Sequence, residues 1–168
     1  PEAPVIQNDF QNEQKFAEET IEHQEHDLLR LMVNHHDKTF TLELPSDDNP
    51  EPEQFNVLEF ILDEIEGDEI QLETLKYRSL FELIASRYDD HGFDPIYYIE
   101  NSDEAIQNLF IDLITFRYNL DNWERMEIYV DNEEKKLRRA VTEGIYAYKS
   151  KRVERMIREN QQMLKDQV

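Results

Sequence analysis

Histidines provide the first candidates for chemistry in this 168-residue chain. His23 and His26 are three positions apart, so both imidazoles can reach one metal ion from the same face of a helix. A carboxylate-bridged di-metal bundle requires Glu-x-x-His on two helices, and neither that motif nor HExxH occurs. The glutamates at positions 18, 19, 22 and 25 make a solvated acidic face the better interpretation. We expect neither a metal site nor a cofactor.

The other groups that could do chemistry also have simpler explanations. His35 and His36 lie where the first predicted helix ends, and His91 lies at a later helix end, where a cationic imidazole complements the helix dipole. The chain has no cysteine, no serine in a nucleophile-elbow context and only three glycines, too few for a phosphate-binding loop. Its 39 carboxylates produce pairs by chance. We therefore expect a non-catalytic protein.

Charge and hydropathy restrict the class of partner. The net charge of −21 argues against a body that grips phosphate backbones. No apolar run approaches the roughly 20 residues that span a bilayer, and no signal-peptide pattern is present, so we expect a cytoplasmic protein that does not bind membranes. The sequence starts at Pro1 rather than at an initiator Met, which predicts a part of a longer protein.

Apolar residues recur at steps of three, four and seven along most of the chain, which predicts an all-α fold. We expect five or six helices before the C-terminal region: about 18–36, from Pro52 or Glu53 to Glu66, about 73–89, a short turn from Pro95 to Ile99, one capped by Asn101 with Glu104, and one capped by Asp121 with Glu124. Gly67 is expected to end the second of these in the left-handed conformation. Alternation at Phe40, Leu42 and Leu44, followed by Pro45 and Pro50, indicates a short extended piece and a loop.

Charge divides the sequence into regions. Residues 1–17 are polar and aperiodic and predict a disordered linker, and residues 18–130 predict a helical body. Residues 131–168 contain ten Lys and Arg against seven Asp and Glu, whereas positions 1–130 contain eight against 32. Asp131 with Glu134 forms a capping pair for a helix in this mildly basic region. Such asymmetry favours a C-terminal region that meets a partner.

Two geometries of the C-terminal region remain open. In a helical hairpin, Lys149 and Ser150 form the turn, and Val153, Met156 and Ile157 pack against an apolar set made of Val141, Ile145 and Tyr148. In one unbroken helix from about residue 132 to 165, Gly144 is tolerated at a cost of about 1 kcal/mol. The unbroken helix would favour a domain-swapped homodimer. Tyr146 falls off the apolar set and is either half-buried or available to a partner.

The order of elements is similar to that of a known family. The segments that carry the likeness are EHDLLRLMV, FNVLEFILDEI, LKYRSLFELIASRY, NLFIDLITFRYNLDNW and EKKLRRAV followed by KSKRVERMIRENQQMLK. Over roughly residues 20–168 the chain resembles the C-terminal helicase-binding domain of the bacterial replicative primase, DnaG. The resemblance implies a helical body and a terminal hairpin that docks on the N-terminal domains of the replicative helicase, DnaB. Asn160, Gln161 and Lys165 match the Asn-Gln-x-x-x-Lys pattern that the family often has near its end.

The resemblance implies a non-catalytic docking domain that brings primer synthesis to the replication fork. The expected contact residues lie in the last segment, residues 151–168: Arg152, Met156, Ile157, Asn160, Gln161, Met163, Leu164 and Lys165. Lys135, Lys136, Arg138 and Arg139 would steer the domain toward an acidic partner. The alternative function is an acidic helical domain with a basic tail that binds nucleic acid.

Overall fold

The computed structural model describes the backbone of residues 7–43, 52–124 and 133–166, and the side chains of 21–43, 52–88, 92–115 and 135–166. These ranges contain the following elements: α1 (Gln7–His35), β1 (Thr39–Glu43), β2 (Pro52–Asn56), α2 (Val57–Gly67), α3 (Leu75–His91), α4 (Pro95–Asn101), α5 (Glu104–Glu124) and α6 (Glu133–Asp166). The fold is mostly helical, as predicted. The all-α class is nevertheless incomplete, because β1 and β2 form a small antiparallel sheet. No helix in the described ranges has the length and apolar character needed to cross a membrane.

Helix α1 occupies the centre of the fold and contacts α2, α3, α5 and α6. Its residues from Leu28 to Val33 are buried except for Arg30, because neighbouring helices cover the helix on most sides. A nearly continuous apolar run in the sequence is typical of a helix covered in this way. The helix begins at Gln7, so the linker predicted for residues 1–17 is wrong from position 7 onward, where the backbone is helical. Residues 1–6 lie outside the described ranges.

The sheet explains why the second helix begins later than predicted. Residues Pro52–Asn56 pair with β1 in the register that places Phe40 opposite Phe55, so they are strand and not helix. Proline is tolerated at the first position of a strand, where no ladder hydrogen bond is lost. The Asn56 side chain then accepts a hydrogen bond from the Glu59 backbone N–H at 3.1 Å and caps α2. The extended piece predicted around Phe40 is confirmed as β1; Leu44 and the two loop prolines lie outside the described ranges.

Three predicted helix boundaries are also corrected. Gly67 is the last residue of α2 and is not left-handed; Glu69 has the positive φ, 54°. Helix α5 is capped by Asp103, whose Oδ1 accepts from the Ala105 and Ile106 N–H groups at 3.0 Å each, while Asn101 ends α4. The cap predicted at Asp121 is wrong, because α5 runs without a break to Glu124.

The C-terminal region forms one continuous helix, so the hairpin geometry is wrong and the alternative is confirmed from residue 133 to 166. The apolar set Val141, Ile145 and Tyr148 is buried in the body, mainly against α1. At Gly144 an added Cβ would lie 3.2 Å from Leu31 Cδ1, so glycine permits the close approach of α6 and α1. The N-terminal half of α6 therefore belongs to the core of the body. Asp131, the predicted cap, lies outside the described ranges.

Candidate protein-docking face

Helix α6 is attached to the body by ion pairs where its buried half ends. Lys149 Nζ lies 2.6 Å from Glu64 Oε2 and 2.7 Å from Asp68 Oδ2, so it bridges the last turn of α2 and the residue that follows it. Burial alone would lower the pKa of Lys149. The hydrogen bonds to the two carboxylates outweigh burial and raise that pKa above its ordinary value. Lys149 therefore remains a cation at any physiological pH.

One turn further along, Glu73 holds two arginines of α6. Arg155 Nη1 lies 2.6 Å from Glu73 Oε2, and Arg152 Nη1 contacts Glu73 Oε1. All three side chains are less than one-third exposed, so solvent screens these pairs less than it screens surface pairs. The sequence placed Arg152 among the contacts to a partner, whereas the structure places its guanidinium against the body.

Glu25, on α1, binds the segment that carries Glu73. Its carboxylate is fully buried and accepts hydrogen bonds from the backbone N–H groups of Glu73 and, at 3.0 Å, of Thr74. Thr74 is the N-cap of α3, so Glu25 binds from another helix the backbone N–H groups of the N-cap residue and of the residue before it. Burial raises the pKa of Glu25, and the hydrogen bonds to Thr74 and the charge of Arg152 oppose that rise.

The expectation that Glu25 lies on a solvated acidic face is wrong. A signal for its burial is present in the sequence: Glu25 follows Ile21 by four positions and precedes Leu28 by three, which places it on the apolar face of α1. Sequence reasoning also missed Glu64, Asp68 and Glu73. Their partners are distant in the sequence, and periodicity gives no information on such pairs.

Tyr148 completes the attachment. Its hydroxyl donates a hydrogen bond to the backbone oxygen of Gln71 at 3.2 Å, and its ring is fully buried. Burial raises the pKa of Tyr148, and the negative charge of Glu25 adds to the rise. We call the following set of side chains the α6 joint: Glu25, Glu64, Asp68, Glu73, Tyr148, Lys149, Arg152 and Arg155. The joint connects α6 to α1, α2 and the segment before α3 and thereby fixes the direction of the helix.

Beyond the joint the helix is exposed. We call residues 153–166 the projecting segment; apart from Arg155, every residue in it is exposed. Its large apolar side chains are Val153, Met156, Ile157, Met163 and Leu164, with exposed fractions between 51 % and 65 %. They account for half of the ten large apolar side chains that the described ranges leave exposed. This concentration makes the projecting segment the candidate docking face.

Seven of the eight predicted contact residues lie in the exposed part of this segment: Met156, Ile157, Asn160, Gln161, Met163, Leu164 and Lys165. At 3.6 residues per turn, Val153, Ile157, Asn160 and Leu164 share one face, and Gln161 and Lys165 lie beside it. This face is rotated by roughly 120° from the buried face of Val141, Ile145 and Tyr148. The exposed stripe of Val153, Ile157 and Leu164 is therefore a second apolar surface, and Met156 and Met163 lie between it and the core stripe.

Two histidines of α1 lie beside carboxylates. His23 Nε2 lies 3.5 Å from Asp27, and His26 Nε2 lies 3.5 Å from Asp112, so each imidazole is engaged with a carboxylate. No group of three metal-ligating side chains is found among the described residues. An acidic depression between α2 and α3 contains Ser86, but its hydroxyl donates to Leu83 O at 2.9 Å.

Comparison with known proteins gives a family and no function. Neither a curated protein nor a solved structure matches this chain. The sequence matches a family described as a domain of unknown function, DUF8430, over residues 11–168. That range includes nearly the whole chain, with both the α6 joint and the projecting segment. The chain therefore belongs to the DUF8430 family.

Proposed function

We propose that this chain is a non-catalytic docking domain that binds another protein through the projecting segment of α6. The observation that carries the proposal is the cluster of five large apolar side chains, each more than half exposed, between Val153 and Leu164. A helix with such a stripe binds an apolar groove of a partner, with anchors at helical spacing. Exposed apolar patches of this kind mark interaction sites.

The proposed partner is the N-terminal region of a replicative helicase of the DnaB type. Support comes from the resemblance to the helicase-binding domain of DnaG primases and from Asn160, Gln161 and Lys165, which match that family's terminal pattern. These three side chains are exposed; Asn160 lies on the face of the apolar stripe, and Gln161 and Lys165 lie beside it. In this function the domain recruits primer synthesis to the replication fork.

The α6 joint gives the docking helix a fixed direction. An isolated helix as short as the projecting segment is marginally stable in water, because the first turn is costly to form. Here the buried half of α6 supplies that first turn, and the ion pairs of Lys149, Arg152 and Arg155 hold the exit point. A helix ordered before binding loses less conformational entropy on association.

Substituting the apolar stripe tests the proposal. The double variant Ile157→Asp with Leu164→Asp should weaken binding to the cognate helicase N-terminal domain at least about tenfold, because two anchors become charged. The matched control is Leu75→Asp with Ile96→Asp, two exposed apolar residues on α3 and α4. Titration calorimetry measures both affinities, and circular dichroism verifies that the helix content is unchanged.

A shortened chain gives an independent test. Removal of all residues after Val130 would delete Val141, Ile145 and Tyr148 from the core and unfold the body. A chain that ends at Arg155 keeps the α6 joint and loses most of the exposed stripe. We expect this chain to remain folded and to lose helicase binding. Helicase binding by the folded, shortened chain would contradict the proposal, as would full affinity of the double Asp variant.

The basic N-terminal turns of α6 favour a second candidate, a nucleic-acid-binding tail. Lys135, Lys136 and Arg138 are exposed and form no ion pair with the described residues. That function requires affinity for single-stranded DNA that falls steeply with salt. The docking function requires little DNA binding by the isolated chain, which fluorescence anisotropy at two salt concentrations distinguishes.

A further inference from the structure

Tyr146 is exposed in the half of α6 that is otherwise packed against the body. Its side chain is 75 % exposed, although Ile145 and Tyr148 on either side are buried. At about 100° per residue, Tyr146 lies within about 20° of Val153, Ile157 and Leu164 around the helix axis. The exposed face of the projecting segment therefore continues past the joint to Tyr146.

The same face becomes basic toward the start of α6. Counting back from Tyr146 at helical spacing leads to Lys135 and Arg139, and Arg138 lies about 80° to one side of them; all three are exposed. Arg139 pairs with Glu143 at 2.8 Å, whereas Lys135 and Arg138 form no ion pair with described residues. One face of a single rigid element thus changes from cationic to apolar along its length.

The charge of the chain indicates what this face meets. Positions 1–130 carry 32 acidic and eight basic residues, so carboxylates are plentiful within the molecule. Lys135 and Arg138 nevertheless remain outside any ion pair among the described residues. An acidic surface is the complement that fits these cations. The exposed apolar side chains on the same face, from Tyr146 to Leu164, favour a protein surface over a phosphate backbone.

We propose that the docking face extends along the exposed side of α6 from Lys135 to Leu164, with Tyr146 as a central contact and Lys135 and Arg138 as an electrostatic end. The partner then has an apolar groove for the projecting segment and an acidic patch beyond it. The distance from Arg138 to Val153 along the helix axis is about 22 Å at 1.5 Å per residue, which sets the separation of groove and patch. This inference rests on the proposed docking function and specifies the chemistry of its partner.

The test uses the full chain and the cognate helicase N-terminal domain as the probe. Tyr146→Ala should weaken binding about tenfold, since a large exposed tyrosine in the middle of an interface is a typical hot spot. Its matched control is Tyr97→Ala, which removes an exposed tyrosine from α4 and should leave affinity unchanged. Circular dichroism and thermal unfolding check that both variants keep the wild-type fold.

The electrostatic end is tested by charge reversal. Lys135→Glu with Arg138→Glu should slow association several-fold at low salt, and the difference from wild type should shrink as salt is added. Lys38→Glu, a reversal at an exposed lysine between α1 and β1, is the control and should have a smaller effect. Stopped-flow or surface-based kinetics provide the association rates.

The outcomes separate the two proposals. Absence of helicase binding by wild type overturns both. Binding that is lost in the Ile157→Asp and Leu164→Asp variant but kept by Tyr146→Ala and by the charge reversal overturns only the extended face. Single-stranded DNA binding by the full chain that the charge reversal abolishes also overturns it, since the cations would then serve nucleic acid. Self-association through α6, seen as a dimer in analytical ultracentrifugation that Tyr146→Ala dissociates, would assign the face to a second copy and overturn the acidic partner.

Discussion

The two halves of α6 are one helix with opposite environments. In the first half Val141, Ile145 and Tyr148 are buried against α1, and Gly144 lets the two helices approach closely. In the second half Val153, Ile157 and Leu164 are more than half exposed. Both halves contain apolar residues at helical spacing, so the sequence pattern alone does not tell them apart.

The difference lies in what the rest of the chain supplies. The body provides an apolar surface for the first half and carboxylates for the three cations that follow it, at Lys149, Arg152 and Arg155. Among the described residues it provides no such cover for the apolar stripe beyond. Apolar side chains at the same helical spacing therefore stabilise the fold in the first half of α6 and remain exposed to a partner in the second.

The same substitution made in both halves of α6 should change the free energy of unfolding by very different amounts. Ile145→Ala removes a buried side chain and should lower the free energy of unfolding by about 2–5 kcal/mol. Ile157→Ala, at a 51 % exposed position, should change it by no more than about 0.5 kcal/mol. Urea denaturation followed by circular dichroism measures both. Similar losses in the two variants would mean that the projecting segment is buried in the folded chain.

The joint between the halves gives the next largest effect. Glu73→Gln removes the carboxylate that holds Arg152 and Arg155 and should cost about 1.5–3 kcal/mol, because two partly buried arginines lose their charge partner. Glu154→Gln removes the same charge from an exposed pair with Lys151 and should cost about 0.5 kcal/mol or less. Equilibrium unfolding at low and high salt compares them. Equal costs would show that the joint is no stronger than a surface pair.

Part of this arrangement could be predicted from the sequence. The run from Leu28 to Val33 is typical of a helix covered on most sides, and these residues are buried apart from Arg30. The spacing of Val141, Ile145 and Tyr148 predicted a buried stripe, although α1 covers it and not the second helix of a hairpin. Both predictions rest on periodicity, which reports the side of a helix that faces apolar surroundings. The seven exposed contact residues in the projecting segment were also named from the sequence, although their role stays a prediction.

Other features could not be predicted because they depend on contacts between distant residues. Glu25 and Glu73 meet only after α1 and the segment before α3 are placed side by side. The strand at Pro52–Asn56 exists because β1 offers it a partner, whereas its local sequence resembles the first turn of a helix. The choice between a hairpin with its turn at Lys149 and Ser150 and an unbroken helix also depends on such contacts: Lys149 and Arg152 are held by carboxylates of the body, and the helix continues.

Two tyrosines of α6, one buried and one exposed, can each be tested by removing only the hydroxyl group. Tyr148→Phe removes the hydroxyl that donates to Gln71 O and should cost about 1 kcal/mol, because the acceptor is left without its partner. Tyr146→Phe removes a hydroxyl from a 75 % exposed side chain and should leave stability unchanged. Thermal unfolding of the two variants provides the measurement. A larger loss in Tyr146→Phe would reverse the assignment of buried and exposed faces.

The smallest expected effect is the difference in stability between wild type and Glu25→Gln at acidic pH. There the protonated carboxyl group and the amide are both neutral and have nearly the same shape. The folded-state pKa of Glu25 is raised above its ordinary value of 4.5, so between these two values the folded chain binds more protons than the unfolded chain. By linkage, the contribution of Glu25 to stability is fully present below pH 4.5 and is lost as the pH rises through the folded-state pKa. Wild type should therefore lose stability relative to Glu25→Gln as the pH rises from about 4 to 7. Urea denaturation of both chains across this range measures the difference. A difference that is constant with pH, or one that moves in favour of wild type, would show that the bonds from Glu73 and Thr74 outweigh the cost of burying the charge.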